Sequence, residues 1–565
     1  MAPPMPHAKS RGKEKGVAAS VGDKDSATIS CLLSPQTKLR IMATAPSFLF
    51  ALLAVCIAIS TAAAMATAPT NTTGFVSCLT VHIPPGIVYT QASDSYPSVL
   101  DFSIKNLRFV TPATPTPLVI IKATKASHVQ AAVRCGVAHG VRVRPRSGGH
   151  DYEGLSYRSI DAACPFSVVD LAALRAIRVD VKRKSAWVDS GATLGELYYG
   201  IANKSARLGF PGGIGPTVGI GGHFSGGGFG LMMRKHGLAA DHVVDAVVVD
   251  AEGRLLDRAG MGEDHFWAIR GGGGGSFGIV VSWKLQLVRV PATVTVFTVH
   301  RPRNRSASDL LTKWQHVAPA LPRDVILRVV VQNQEAQFES LYLGRRTGIV
   351  ATMARMFPEL GVMREDCIEM SWIESVLYFA FYGTGKPAAL LLARGTKPDR
   401  YFKAKSDFVH QPIPRHVWES TWSWFLKDGA GLLILDPYGG QMGRVAPSAT
   451  PFPHRRALYN VQYYGFWWDN GTEASEKHMG WIRDMHQEME PYVSKNPRGA
   501  YVNYRDLDLG VNDDYCGNGA ENGYKKARAW GEPYFKANFE RLAAVKAMVD
   551  PRDFFRNEQG IPPLR

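Results

Sequence analysis

The sequence lacks the marks of phosphoryl-transfer, zinc and nucleic-acid proteins. It holds seven cysteines in 565 residues. None of them forms a CxxC pair, and no His/Cys spacing reads as a zinc site, so no metal centre is expected. There is no GxxxxGKS/T phosphate loop and no HExxH helix signature, which leaves phosphoryl transfer and zinc hydrolysis without support. Lys and Arg outnumber Asp and Glu, 65 to 49, but they are dispersed along the chain. That pattern argues against a nucleic-acid groove and for an acidic partner such as a cell-wall polysaccharide. After residue 68 no segment is long and apolar enough to anchor in a membrane. With 45% hydrophobic and 20% charged residues, the chain is globular and long enough for two or three cores.

The N-terminus differs from the rest. Residues 1–41 are polar and aperiodic, and read as a disordered leader or an over-extended gene model. APSFLFALLAVCIAISTAAAMATA (45–68) has no charge, follows Lys38 and Arg40, and ends in small residues. It reads as a secretory signal peptide, assigned to 42–66, with cleavage near Ala64 to Ala68. Net charge is +16 overall, and residues 1–64 carry seven Lys/Arg against three Asp/Glu, so the remainder is about +12. Secretion suits the sequons at Asn71, Asn203, Asn304 and Asn470. It also suits disulfide formation, although the five cysteines left after the signal segment are an odd number, so at least one stays unpaired within the chain.

Glycine is what the chain has in quantity, 55 residues. RSGGHDYEGLSY (146–157) and GPTVGIGGHFSGGGFG (215–230) are two glycine-dense loops around His150 and His223. Such loops turn backbone N–H groups toward an anion and let a flat ligand come close. Two in one region suggest a large phosphorylated cofactor. A formal GxGxxG at Gly273–Gly278 leads into IVVSWKLQLV, which reads as a strand. A Rossmann site requires a helix there, so that reading is rejected.

From 117 onward, strands and helices alternate. PLVIIKA, VRVRPR, FSVVDL and SAWVDSGA read as strands. SHVQAAVRCGVAHG is a helix stopped at Gly140, and TLGELYYGIANKSARLG is a helix capped by Thr193. DAVVVDAEGRLLD is a hairpin turning at Glu252–Gly253. From about 293, VTVFTVH, VILRVVVQN and ALYNVQYYGFWW alternate with helical stretches and carry an aromatic wall. AYVNYRDLDLG followed by EPYFKANFERLAAVKAMVDP reads as a strand and a helix returning to the first part.

Several segments together resemble the plant berberine bridge enzyme-like flavoproteins of the vanillyl-alcohol-oxidase type, from Cys78 to the C-terminus. Beyond the glycine loops these are MRKHGLAADHV, MGEDHFWAIRGGGGGSFG, EMSWIESVLYF, FPHRRALYNVQY, NYRDLDLG and VDPRDFFRNEQGIPPL. The resemblance implies an α+β fold. A two-part FAD-binding domain (67–292) would precede a substrate domain with an antiparallel sheet flanked by helices (293–500), and 501–565 would return to the first domain. It implies FAD attached covalently through His150. The cofactor-binding set would be Arg146, Ser147, Gly148, Gly149, Gly213, Gly215, Thr217, Val218, Gly219, Gly221, Gly222, His223, Gly278, Ile279, Val280 and Asn503. Cys78 and Cys135 resemble the family's disulfide pair, expected as the only one near the flavin domain's entrance, with Cys367 free.

The chain departs from the family pattern at several positions. Gly215 stands where most members carry a second flavin-linking cysteine, which implies a single covalent bond. Phe229 and Asn460 stand where alcohol-oxidising members often have tyrosine and lysine. Gln462 stands where alkaloid-oxidising members have glutamate. The resemblance also implies that the position of Val218 faces the flavin edge, where members with a bulkier leucine react poorly with oxygen and valine leaves room for it. Proton handling then falls to Tyr504 and Tyr152, with Gln462 orienting the substrate. A tyrosine of depressed pKa, Tyr504, is expected as the base. The expected activity is that of a secreted FAD oxidase, acting on an alcohol or sugar hemiacetal and passing electrons to oxygen to give hydrogen peroxide. The alternatives are a dehydrogenase of the same fold, an alkaloid-type oxidase, and a cell-wall flavin glycoprotein without turnover.

Overall fold

The computed structural model describes residues 71–565 apart from 304, 396–399, 513–515 and 517–522. The leader, the signal segment and the Asn304 sequon lie outside the described residues. Asn71, Asn203 and Asn470 are exposed. Among the described residues no helix is long and apolar enough to cross a membrane.

Short apolar runs build the first sheet, with strands β1 (Val88–Thr90), β2 (Val119–Lys122), β3 (Arg142–Arg146) and β4 (Phe166–Asp170) in the order β1-β2-β4-β3. β4 runs parallel to both β2 and β3. Val119, Ile120 and Ile121 are fully buried, as strands covered on both faces require. The helix Ala126–His139 packs its apolar side on this sheet and stops at Gly140, whose φ of +66° closes the last turn. Cys78 and Cys135 are bonded, tying this helix to Thr72–His82.

A second sheet has the order β5-β6-β10-β8-β9, from β5 (Ile177–Asp180), β6 (Ser185–Asp189), β8 (Val243–Val249), β9 (Leu255–Leu256) and β10 (Ile279–Gln286). The helix Leu194–Ala202 starts at a capping box in which Thr193 and Glu196 satisfy each other's backbone N–H groups. Such a cap stabilises by about 1 kcal/mol. β7 (Leu208–Gly209) and β11 (Val288–Arg289) form a short separate pair. The run after the five glycines is β10, a strand, as its sequence indicates.

The third sheet has seven antiparallel strands in the order β15-β12-β14-β13-β17-β18-β16. They are β12 (Val294–Pro302), β13 (Val325–Gln332), β14 (Glu335–Tyr342), β15 (Ile368–Met370), β16 (Tyr401–Val409), β17 (Leu432–Pro437) and β18 (Tyr459–Trp467). Residue alternation sorts its two faces. Leu327, Val329, Leu433, Leu435, Tyr459, Val461 and Tyr463 share one apolar cluster with Trp314, Trp418, Trp422 and Trp481 from the covering helices. The residues between them, Arg328, Ile434, Asp436, Gln462 and Tyr464, line a cavity instead. This is the expected α+β fold, with an antiparallel sheet flanked by helices.

Two local expectations fail. AYVNYRDLDLG is not a strand: it turns irregularly into a 3-10 segment at Leu507–Leu509. Its N–H groups find side chains in place of a ladder: Tyr501 N donates to Ser406 Oγ (2.9 Å) and Asp506 N to Tyr534 Oη (2.9 Å). The single helix read after it is two, Gly523–Phe535 and Asn538–Val549, broken where Lys536 has φ +48°. The cysteines add one pair to the reading. Cys78–Cys135 forms as the resemblance implies, and Cys164 is bonded to Cys516, a second disulfide that the sequence reading did not name. Cys367 is free and buried.

Candidate active site

A cavity of about 680 Å³ opens where the two glycine loops, the five-glycine run and the seven-stranded sheet meet. The loops touch each other backbone to backbone. A Cβ on Gly148 would overlap the Gly219 backbone, and Gly149, at φ +67°, presses on Ser103. Protein packing therefore requires these two glycines. Gly222 and Gly274 differ: nothing lies within 4 Å of a Cβ at 222, and only Ser225 is near one at 274. Bare backbone left open on a cavity wall suits close contact with a phosphorylated ligand. The five-glycine run is held from behind by Lys546, whose Nζ donates to Ser276 O (2.8 Å), Phe555 O (2.8 Å) and Asp550 (2.6 Å).

Of the residues expected to hold the cofactor, thirteen line this cavity: Ser147, Gly148, Gly149, His150, Gly213, Gly215, Val218, Gly219, Gly221, Gly222, His223, Gly278 and Val280, with Asn503 joining from the C-terminal segment. Three do not. Arg146 is fully buried with its guanidinium on Leu100 O, Val99 O and Asp170, its pairing partner on β4, and these acceptors hold it off the cavity. Ile279 is a core residue of β10. Thr217 stands behind His150, with its Oγ1 2.9 Å from His150 Nε2.

Burial, with a smaller contribution from Lys105, pulls the His150 pKa down to about 3. The ring is neutral at physiological pH and keeps one basic nitrogen. His223 is neutral too, pulled to about 4 by burial. Its Nε2 accepts from Gly213 N (3.0 Å), and its carbonyl accepts from Asn503 Nδ2 (3.0 Å), so it fastens the second loop on both sides.

The three residues expected to handle protons also meet. Gln462 Nε2 donates to Tyr152 Oη at 2.8 Å, and the Tyr152 and Tyr504 rings meet edge to face at 5.7 Å. Tyr504 also packs on Phe229 and Tyr501. Buried charges hold both tyrosine segments. Lys403 Nζ donates to Glu153 (2.8 Å) and Asp506 (2.9 Å), joining the neighbour of Tyr152 to the turn after Tyr504. Lys405 pairs with Asp506 and Asp508. The expected direction of titration is wrong, however. Burial pushes Tyr152 up to about 12, against a smaller lowering by Gln462. It pushes Tyr504 well above the ordinary phenol value, with Asp436 adding to the rise and Arg328 opposing it. Neither tyrosine is depressed, because both rings sit among other rings and away from water.

Gly215 leaves room beside Val218: a Cβ there would meet only Val218 Cγ2, at 3.0 Å. Sequence reasoning missed Arg328, Asp436, Tyr501, Lys105 and the bare run Gly273–Gly275, all of which line the cavity. For Arg328 and Asp436 a signal existed, since each is a single charge inside an otherwise apolar strand, VILRVVV and LLILDP.

Comparison with known proteins agrees with this geometry. Residues 117–258 match the FAD binding domain family model, and 500–562 match the model described as berberine and berberine like. Berberine bridge enzyme-like Cyn d 4 of Cynodon dactylon is 53% identical, over 93% of this chain and 100% of its own length. Tetrahydroberberine oxidase of Berberis wilsoniae is 46% identical, over 88% of this chain and 96% of its own. The solved structure of wild-type Phl p 4.0202, a glucose dehydrogenase, superposes with a TM-score of 0.84 at 49% identity, covering 87% of this chain and 99% of that one. A Phl p 4 variant carrying an isoleucine-to-valine and an asparagine-to-histidine exchange is a glucose oxidase (TM-score 0.85, 50% identity, covering 87% of this chain and 100% of that one). With the cofactor cradle, the tyrosine pair and both family models on one chain, this protein belongs to the berberine bridge enzyme-like family of FAD-linked oxidoreductases.

Proposed function

We propose that this protein is a secreted FAD oxidase that acts on an alcohol or a sugar hemiacetal, with FAD bonded through His150 alone. The observation that carries the reading is the Tyr152–Gln462 hydrogen bond beside Tyr504, on the wall of the cavity that the glycine loops enclose. FAD bound there supplies hydride acceptance from the substrate carbon and transfer of the electrons to oxygen, which yields hydrogen peroxide. The protein residues bind, orient and deprotonate. His150, neutral and supported by Thr217, has a ring nitrogen free of a proton and thus able to form a covalent bond. Ser147, Gly148, Gly149, Gly213, Gly215, Gly219, Gly221, Gly222, Gly278, Val280 and Asn503 frame the cofactor.

Tyr504 takes the substrate hydroxyl proton. Its reactive form is the phenolate, a small fraction at neutral pH given the upward shift. Tyr152 and Gln462 hold the substrate oxygen toward it. Gln462, with no carboxylate, argues against the amine chemistry of alkaloid oxidation. Residues 67–292 and 501–565 form the flavin part in this reading, and 293–500 the substrate part. Exposed Asn71, Asn203 and Asn470 suit a glycosylated, extracellular protein.

Anaerobic mixing of the flavin-loaded enzyme with glucose, coniferyl alcohol and an alkaloid, followed by air, tests the reading. Bleaching by an alcohol or sugar and rapid recovery in air support it. Bleaching by none of them favours the non-catalytic glycoprotein. A second reading, a dehydrogenase with another acceptor, draws on the glucose dehydrogenase activity of wild-type Phl p 4. Bleaching that persists in air for minutes would establish it.

A further inference from the structure

We propose that Arg328 and Asp436 read a pair of neighbouring hydroxyl groups on a neutral, polyhydroxylated substrate. This rests on the alcohol or sugar reading above and names the residues that choose among such substrates. The two side chains come from β13 and β17, one position beyond the paired residues Val329 and Leu435. Both emerge on the face that carries Gln462 and Tyr464, and both line the cavity. They are nearly inaccessible, at 6% and 4% exposure.

Their own contacts leave most of their hydrogen-bonding capacity unused. Arg328 Nε lies 3.3 Å from Asp436 Oδ1 and 3.8 Å from Glu339 Oε2, yet it is buried without a hydrogen bond of acceptable geometry. A guanidinium offers five donors and a carboxylate about four acceptor sites. Buried groups of this kind ordinarily have partners, and leaving them unmade is costly. Arg234 donates to Tyr438 O, Pro319 O and Leu321 O among others, and Arg144, Arg146 and Arg455, though each leaves a nitrogen unpaired, all donate to other acceptors. Arg328 instead is held by ion pairs with Asp436 and Glu339 and lines the cavity, which marks it as a donor for a ligand there.

The charge balance narrows the class. One guanidinium faces two carboxylates, Asp436 and Glu339, so an acidic substrate would add a third negative charge to the group. A neutral diol meets no such penalty: one hydroxyl donates to Asp436 while its neighbour accepts from Arg328. Phe229, Phe402, Tyr464 and Tyr504 supply aromatic walls against which the C–H faces of a sugar ring pack.

The test uses the flavin-loaded enzyme and two probes. 1,5-Anhydro-D-glucitol keeps the ring hydroxyls of glucose but lacks the anomeric one, so its binding is read without turnover, from the flavin absorption spectrum or from thermal stability. Glucose and benzyl alcohol, which has a single hydroxyl, are compared by KM and kcat. Arg328→Met and Asp436→Asn should each weaken anhydroglucitol binding roughly 10- to 100-fold, the usual effect of a charged hydrogen bond. Glucose KM should rise by that factor relative to benzyl alcohol KM. Arg328→Lys keeps the charge without the fork, and should recover only part of the loss. Equal losses for both alcohols, or undiminished anhydroglucitol binding, would make the pair structural and overturn the proposal. If the variants lose flavin, deoxy-glucitols on the native enzyme decide the matter: indifference to every single hydroxyl refutes it. Native enzyme that binds anhydroglucitol but oxidises nothing would leave this inference standing while the oxidase reading fell.

Discussion

The pH dependence of flavin reduction is the sharpest consequence of the site. The perturbation is pH itself, applied to the native enzyme and to Tyr504→Phe. Burial raises Tyr504 well above 10 and Tyr152 to about 12, so neither is ionised at rest near neutrality. A base that works as its phenolate gains population as pH rises. Far below its pKa the gain is tenfold per pH unit, so the reduction rate should climb about a thousandfold from pH 6 to 9 without a plateau. Tyr504→Phe should lower the rate by roughly two to four orders of magnitude at the upper end and flatten the slope. Tyr152→Phe should keep the slope, because it loses positioning and not the proton acceptor. The assay is anaerobic stopped-flow reduction at saturating substrate.

The upper pH limit also follows from the structure. Tyrosines whose folded pKa is raised stay neutral while the unfolded chain begins to ionise near pH 10. Stability is unaffected below that point and falls above it, so rates are best compared up to about pH 9.5. A plateau in the native profile below pH 8 would mean a base of much lower pKa, and a loss under tenfold in Tyr504→Phe would move the role elsewhere. Either result refutes the assignment of Tyr504.

Other consequences are checked more simply. Protein precipitated in acid should stay yellow, and His150→Ala should release all its flavin on denaturation, since Gly215 offers no second bond; retained flavin would sink the single-link scheme. Val218→Leu adds a methylene where a Cβ on Gly215 has its only contact, and should slow reoxidation in air far more than substrate-driven reduction. Peptide mapping without reduction should find Cys78 linked to Cys135 and Cys164 to Cys516; opening the first, which closes 57 residues, should cost about 4 kcal/mol in chemical denaturation. Lys546→Met removes the cation between Asp550 and the glycine run, and should destabilise by roughly 3–5 kcal/mol as an uncompensated buried charge, with weaker flavin retention.

What the sequence makes legible here is whatever is local to it. The glycine loops, the Thr193 cap and the Gly140 stop each sit within a few residues, and their backbone demands are written in the residues themselves. Alternation in β18 likewise separates Tyr459, Val461 and Tyr463 from Gln462 and Tyr464 before any partner is known. Adjacency, by contrast, misleads at Arg146. It precedes Ser147 in the motif, yet Asp170, opposite it on β4, and the Val99 and Leu100 carbonyls hold it in the core. The aromatic spacing of AYVNYRDLDLG imitates a strand because Tyr501 and Tyr504 are placed for the cavity and not for a sheet. Arg328 and Asp436 meet only through the register of β13 on β17, and no pattern within either strand states that register. The titration of Tyr504 is further removed still. A chemist reading the motif wants a depressed pKa, but the sign follows from how many rings surround the hydroxyl and how little water reaches it. Those quantities exist only once β16, β18 and the C-terminal turn have closed over the site. The cofactor cradle is thus readable from neighbours in sequence, whereas proton affinity and substrate choice belong to the assembled wall.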